Sequence, residues 1–140
     1  MLLKSVLMGF LSFHSIDTTM LKECKSEEDK ISGCVNRYYY ESGNLKIETP
    51  YKNDEKEGML KWYYENGNLK AKTPCKDDKA QGIARFYNKN DDMIMKVLYK
   101  DDEIQSIICV NGKQFTSEQL ARIQHANNHI DEAIQIYNEL

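Results

Sequence analysis

The sequence has little of what catalysis or metal binding usually requires. Its four cysteines, Cys24, Cys34, Cys75 and Cys109, form no C-x-x-C pair, which removes the zinc-ribbon and thioredoxin-type readings. Of three histidines, His14 stands alone near the start, and only His125 and His129 lie close together. With Glu132 they have the spacing of ligands on one helix face, but the His-Glu-x-x-His order is missing and Asn127 and Asn128 intervene, so a solvated polar face is the better reading. No glycine-rich loop joins a strand to a helix, and no Ser-His-Asp, Cys-His or paired-carboxylate arrangement is readable. The longest apolar run is too short to span a bilayer. A net charge of −3 gives no general pull toward nucleic acid, so any basic surface must be local. These absences predict a non-catalytic chain without cofactor or metal and without a nucleic-acid partner.

What the sequence does have is a period. Residues 58–81 read as one β-hairpin, aromatic-rich from 59 to 64 and alternating from 69 to 75, with Glu65-Asn66-Gly67-Asn68 between them. Asn-Gly tolerates the positive φ of a tight hairpin turn and is a strong local signal. The same pattern, Tyr40-Glu41-Ser42-Gly43-Asn44-Leu45-Lys46, stands 24 residues earlier, and Asn53-Asp54, Asp77-Asp78 and Asp101-Asp102 keep that spacing. A fixed period of this length predicts a repeat array in which each hairpin buries its apolar face by stacking on its neighbours. The fold class is therefore mainly β, an array of stacked hairpins over residues 33–115, with a lead-in segment at 21–32 and a helical cap at 116–140. At 41% apolar, the 140 residues support one domain with a modest core.

The pattern G-x-x-x-x-Y-Y-x-N-G-N-L-K, followed by P-[YC]-K-[ND]-D and a glycine, resembles the variant MORN repeat of bacterial proteins catalogued as YwqK-family antitoxins. The resemblance covers residues 33–105. It implies a β-hairpin array that works by binding another protein, and MORN-type repeats have also been proposed to bind membranes. In the third copy Asn90-Asp91-Asp92 replaces the Asn-Gly-Asn turn and Ser106 stands where the next glycine should be, so the array is expected to begin ending there.

Residues 1–20 allow two readings. Lys4 followed by an apolar run to Phe13 resembles a secretory signal, while Gly9 and Leu21-Lys22, each 24 residues before a repeat position, suggest a worn first repeat turning near Asp17-Thr18-Thr19. The signal is the preferred reading and places the protein in the periplasm or outside the cell; the alternative is cytoplasmic. If the chain is exported, Cys24 and Cys34 flank the charged stretch 25–33 and could close it as a disulfide; if it stays inside, all four cysteines are thiols. Cys75 occupies the column of Tyr51 and Tyr99 and reads as a small buried residue, although a Cys75–Cys109 bridge stays open on sequence alone.

Period-two alternation assigns faces. Leu45, Ile47, Thr49 and Tyr51, with their equivalents Leu69 to Cys75 and Met93 to Tyr99, should face the core, and Lys46, Glu48, Pro50 and Lys52, with Lys70, Lys72, Pro74 and Lys76, should face water. In the first strands Tyr38, Trp62 and Phe86 should point inward with Leu60 and Ala84. Tyr39, Tyr63 and Tyr87 would then share the opposite face with Arg37, Lys61 and Arg85. This basic and aromatic stripe is the candidate binding site; the plainer reading is cross-strand packing over a solvated face. Lys52, Lys76 and Lys100 precede the acidic turns, whose charges should balance theirs; two carboxylates per turn lack the ligand order of a calcium loop.

Past Ser106, residues 107–110 read as a short strand, and Asn111-Gly112 as a turn closing onto Gln114-Phe115. Thr116-Ser117-Glu118-Gln119 reads as a capping box that opens a helix, with Asn127-Asn128 as a point where it could divide. The expected role of this segment is to shield the last strand. Functionally, the sequence favours a protein-binding module, antitoxin-like or a cell-envelope scaffold, whose partner and oligomeric state it does not name. The alternative is an anionic lipid surface bound through the same stripe; an enzyme ranks last.

Overall fold

The structure, a computed structural model, describes residues 18–140. The signal-like run at residues 1–13 lies outside the described residues. One antiparallel sheet is built from β1 (Cys34–Tyr39), β2 (Leu45–Lys52), β3 (Glu55–Lys56), β4 (Gly58–Tyr63), β5 (Leu69–Lys76), β6 (Lys79–Ala80), β7 (Gly82–Tyr87), β8 (Met93–Lys100) and β9 (Glu103–Cys109). The strands run in the order β1-β2-β4-β5-β7-β8-β9, with β3 paired to β2 and β6 to β5. A 3-10 turn at Thr18–Met20 and helix α1 (Glu27–Ser32) precede the sheet; α2 (Ser117–His125) and α3 (His129–Glu139) follow it. The hairpin array with C-terminal helices is thus the observed fold. Among the described residues no helix is long and apolar enough to cross a membrane.

Two kinds of turn alternate, and the tight ones are not where Asn-Gly stands. At Asn53-Asp54, Asp77-Asp78 and Asp101-Asp102 both residues take positive φ, from 49° to 69°, as a two-residue hairpin of the primed type requires. Asp and Asn tolerate this region better than other side chains. At the other end, Tyr64 N–H donates to the Asn68 carbonyl and Gly67 N–H to the Tyr64 carbonyl, a wider loop in which Gly67 alone takes the positive φ, 91°. The third copy keeps this loop: Asn88 N–H reaches the Asp92 carbonyl, and Asp91 takes φ 71° in glycine's place. The altered sequence there changes the residue and not the turn.

Successive repeats are tied at both ends. Tyr40 Oη donates to the Tyr63 carbonyl at 2.6 Å and Tyr64 Oη to the Tyr87 carbonyl at 2.7 Å, while Asn44 and Asn66 side-chain amides donate to the carbonyls of Glu65 and Lys89. At the acidic turns, Asp78 N–H donates to the Lys56 carbonyl and Lys56 N–H to the Asp78 carboxylate; Asp102 and Ala80 repeat the exchange. These carboxylates therefore bind backbone amides of the preceding repeat, where a balance against Lys52, Lys76 and Lys100 was expected. Glycine follows from this stacking. Gly58 and Gly82 have φ 112° and 108°, and a Cβ on them would stand 3.3 and 3.2 Å from the Pro50 and Pro74 rings. In the next copy Leu98 replaces the proline opposite Ser106, and the glycine is gone as well.

The core lies between one sheet face and α2–α3. Ala71, Ala84, Phe86, Met95, Val97, Tyr99 and Cys109 pack with Ile123, Ile130, Ala133 and Ile136, and Trp62 borders them. The helices thus cover the inner face of the later strands, where shielding of the last strand was expected. At the edge, the Gln124 side chain accepts from Ile104 N–H at 2.7 Å. Because the helices stop short of β1, Tyr38, in the Trp62 and Phe86 column, is 56% exposed. The capping box at Thr116 forms, and Asn128 caps a separate α3. Residues 114–115 form no strand, so Asn111-Gly112 closes no hairpin.

The N-terminal end has its own closure. Cys24 and Cys34 are joined as a disulfide, and Glu23 bridges Val35 in parallel. The array pairs its repeats antiparallel, so residues 21–24 do not serve as the second strand of an earlier repeat. Helix α1 presents the Lys30 carbonyl to Asp54 N–H, the role that Lys56 and Ala80 play farther along, and the Ile31 carbonyl to Asn53 N–H, where Glu57 and Gln81 serve Asp77 and Asp101 with side chains. Cys75 and Cys109 are free and buried.

Candidate functional site

Strand alternation places Lys61, Tyr63, Arg85 and Tyr87 on the outer face of the sheet, opposite α2–α3. Tyr39 is 54% exposed, whereas Tyr63 and Tyr87 are half-buried among their neighbours. Burial raises the Tyr63 hydroxyl above its ordinary value, and the nearby Glu48 charge adds to the effect against Arg37. The stripe is therefore a real row of the sheet, though its members are unequally available.

Arg37 leaves it. Its Nε donates to Glu48 at 3.0 Å, Nη1 reaches Glu23 at 3.4 Å and Nη2 donates to the Thr18 carbonyl at 3.1 Å. The Thr18 hydroxyl donates to the other Glu48 oxygen. Glu48 and Pro50, expected to face water, are buried here, because residues 18–23 fold back over the β1–β2 end of the outer face. A buried carboxylate needs a cation and donors to replace its water, and Arg37 and Thr18 supply them. Arg37 is thus a structural residue, an outcome that period-two alternation has no means of showing.

Lys46 and Lys70 also depart from the expected face. The pairing of Tyr38 with Ile47 and then of Tyr39 with Leu45 leaves Lys46 as an extra residue, and Lys70 is its equivalent between Trp62–Ala71 and Tyr63–Leu69. Such a bulge re-aims side chains. Lys46 lies 5.4 Å from the Tyr40 ring centre, and Lys70 lies 5.0 Å from that of Tyr64 while pairing with Asp131 of α3 at 3.0 Å.

The register adds residues that the stripe missed. Lys61 stands opposite Lys72, Lys72 opposite Arg85, and Arg85 opposite Lys96. Among the described residues none of these four cations takes part in an ion pair. One pleat away run Met59, Pro74, Ile83 and Leu98, the last two 46% and 41% exposed. Hairpin register was the signal that would have joined Lys72 and Lys96 to Lys61 and Arg85.

On the inner face a cavity of about 320 Å³ opens beside the α2–α3 turn, lined by Trp62, Tyr99, Asp102 and His129 among others. Burial, with Asp102 adding, pushes the Tyr99 hydroxyl up to about 12. His125 opens onto a different hollow with Glu118 and Glu132. Among the described residues no three His, Cys, Asp or Glu side chains converge as a metal site.

A sheet of 24-residue hairpins linked end to end is a repeat scaffold, and family comparison gives the class of repeat. Residues 35–53 and 56–77 match the family model of the MORN repeat variant, so these two stretches are similar to that repeat. The third hairpin, outside the match, keeps the same turns and register. No curated protein and no solved structure matches the chain.

Proposed function

We propose that the protein is a non-catalytic interaction module that binds another protein through the outer face of its second and third repeats, with Lys61, Tyr63, Arg85 and Tyr87 at the contact. The observation that carries this reading is the contrast within one row: the first repeat neutralises its cation with Glu48, and the next two leave theirs unpaired beside tyrosines. Tyrosine and arginine provide rigid contact area at small entropic cost. By the resemblance to antitoxins the partner is a toxin protein; a cell-envelope scaffold is the other form of the same reading. Export to the periplasm or outside the cell is supported by the Cys24–Cys34 disulfide, a bond that persists in oxidising compartments. Mass spectrometry of the mature N-terminus tests export, which a start at Met1 would overturn.

The interaction reading is tested by placing a photo-crosslinking residue at Tyr63, Tyr87 or Tyr38 in the native cell. Protein adducts should form from the first two and not from Tyr38, and charge reversal at Lys61 and Arg85 should abolish them. Adducts from Tyr38 alone, or none from any position, overturn it. Anionic lipid is the second reading, favoured by the same unpaired cations. It predicts attachment that fades at high ionic strength, whereas a tyrosine-anchored protein contact partly persists.

A further inference from the structure

The four cations Lys61, Lys72, Arg85 and Lys96 oppose one another directly across β4, β5, β7 and β8. Like charges in directly opposed positions destabilise a sheet, so packing alone gives no reason for the row. A solvated face would be expected to alternate signs, as this row does at its other end, where Glu48 stands between Arg37 and Lys61; Lys72, Arg85 and Lys96 have no acid opposite them.

Neighbouring strands lie about 4.8 Å apart, so the row is about 14 Å long. Carboxylates at positions i, i+3, i+7 and i+10 of an α-helix rise about 4.5, 10.5 and 15 Å from the first, in step with the cations to within about 1 Å. Same-face side chains of an extended strand, about 6.6 to 6.8 Å apart, fall out of step at the second cation. Beside the row, Ile83, Lys96, Leu98, Ser106 and Ile108 surround an apolar dimple of about 120 Å³.

We propose that the outer face of β4–β9 docks an acidic amphipathic helix of a partner protein, with its carboxylates on Lys61, Lys72, Arg85 and Lys96 and one apolar side chain in the dimple. This rests on the protein-interaction reading and names the chemistry of the partner. The chain's own N-terminal stretch does not fit: residues 1–17 contain Lys4 and a single acid, Asp17. A bilayer fits less well than a helix, because its headgroups carry no fixed spacing to match the step of the cations.

The probe is a synthetic helical peptide of about 18 residues with glutamates at that spacing and a leucine stripe beside them, titrated against the full chain by fluorescence anisotropy. Binding should weaken tenfold or more when the glutamates become glutamine, or when they are moved to a period of two. It should weaken similarly in the K72E/K96E variant and recover when that variant meets a peptide in which only the two glutamates facing residues 72 and 96 become lysine. Leu98→Asp should also weaken it, with melting curves confirming that each variant folds. Equal binding of the glutamine peptide, or no rescue by charge exchange, overturns the proposal. So does binding only after removal of residues 1–17, or self-association lost in K72E/K96E, which would assign the face to the chain's own segment or to a second copy. Tighter binding to phosphatidylserine vesicles than to the peptide assigns it to lipid. If the peptide fails while crosslinks to protein at Tyr63 and Tyr87 persist, the helix proposal falls and the interaction reading stands.

Discussion

Replacing Tyr64 by Phe removes one atom and isolates one link between repeats. The hydroxyl donates to the Tyr87 carbonyl of the next repeat at 2.7 Å, and the side chain is 8% exposed. The ring stays, and with it the Lys70 ammonium 5.0 Å from its centre. A hydrogen bond of this kind contributes about 1 kcal/mol net, and a carbonyl left without its donor in a dry setting costs about 1 to 3. At 8% exposure the site lies between those two cases, and the expected loss is about 1.5 kcal/mol. For a chain of this length that is roughly a 5 °C fall in Tm. Tyr40→Phe removes the same bond, to Tyr63, at a more exposed position where water replaces the hydroxyl, and should cost about 0.5 kcal/mol. Urea and thermal melts of both variants, with unchanged m value, give the comparison. A Tyr64→Phe loss below about 0.3 kcal/mol, or one no larger than that of Tyr40→Phe, would refute the view that these hydroxyls tie repeat to repeat.

Arg37→Ala should destabilise by about 3 kcal/mol in a denaturant melt by stranding buried Glu48, while Lys61→Ala should fall within about 0.5, and equal effects would return Arg37 to the open stripe. Trp62→Ala should cost about 3 to 5 kcal/mol against about 1 for Tyr63→Ala in thermal melts; the reverse order would mean that inner and outer faces have been exchanged. Reducing the Cys24–Cys34 bond should lower stability by about 3 kcal/mol through the loop it closes, read as a Tm shift with and without reductant. Gly82→Ala should cost more than about 1 kcal/mol, since its φ is positive and its Cβ meets Pro74; Pro74→Ala in the same chain should recover part of the loss. Burial pushes the Cys75 thiol up to about 11, so the unfolded chain releases that proton first. Its contribution is whole below the ordinary thiol value near 9 and is lost as pH rises toward 11, and a Cys75→Ala variant should show a shallower alkaline loss.

The repeat and most of the inner column were legible because each was written in the chain several times; Leu45, Leu69 and Met93, expected in that column, stand opposite Tyr39, Tyr63 and Tyr87 past the bulge. Ala71, Thr73 and Cys75 are all buried where alternation put them, and Trp62 and Phe86 meet the core. What alternation could not carry was the third dimension. Glu48 was misassigned because its burial depends on Thr18, thirty residues away, and Lys70 because one extra residue in β5 changes its direction. Asn-Gly was credited with the tight turn because its tolerance of positive φ is well known, although Asn-Asp and Asp-Asp satisfy the same requirement at the opposite end. The Tyr40 and Tyr64 hydroxyls were visible as a repeated letter, but their acceptors are backbone atoms, and no sequence pattern marks those. The four-cation row needed register, which follows from turn length.

Helix α1, held by the Cys24–Cys34 bond, offers Asp54 N–H the carbonyl that a preceding hairpin would have offered, and gives Asn53 N–H a second carbonyl where Glu57 and Gln81 use side chains. Among the described residues the first hairpin thus begins against a fixed counterfeit of a neighbour, while α2 and α3 cover the inner face of the later strands. Between those two terminations every junction uses the same backbone bonds, so a 24-residue unit duplicated or deleted in the middle would meet compatible partners on both sides.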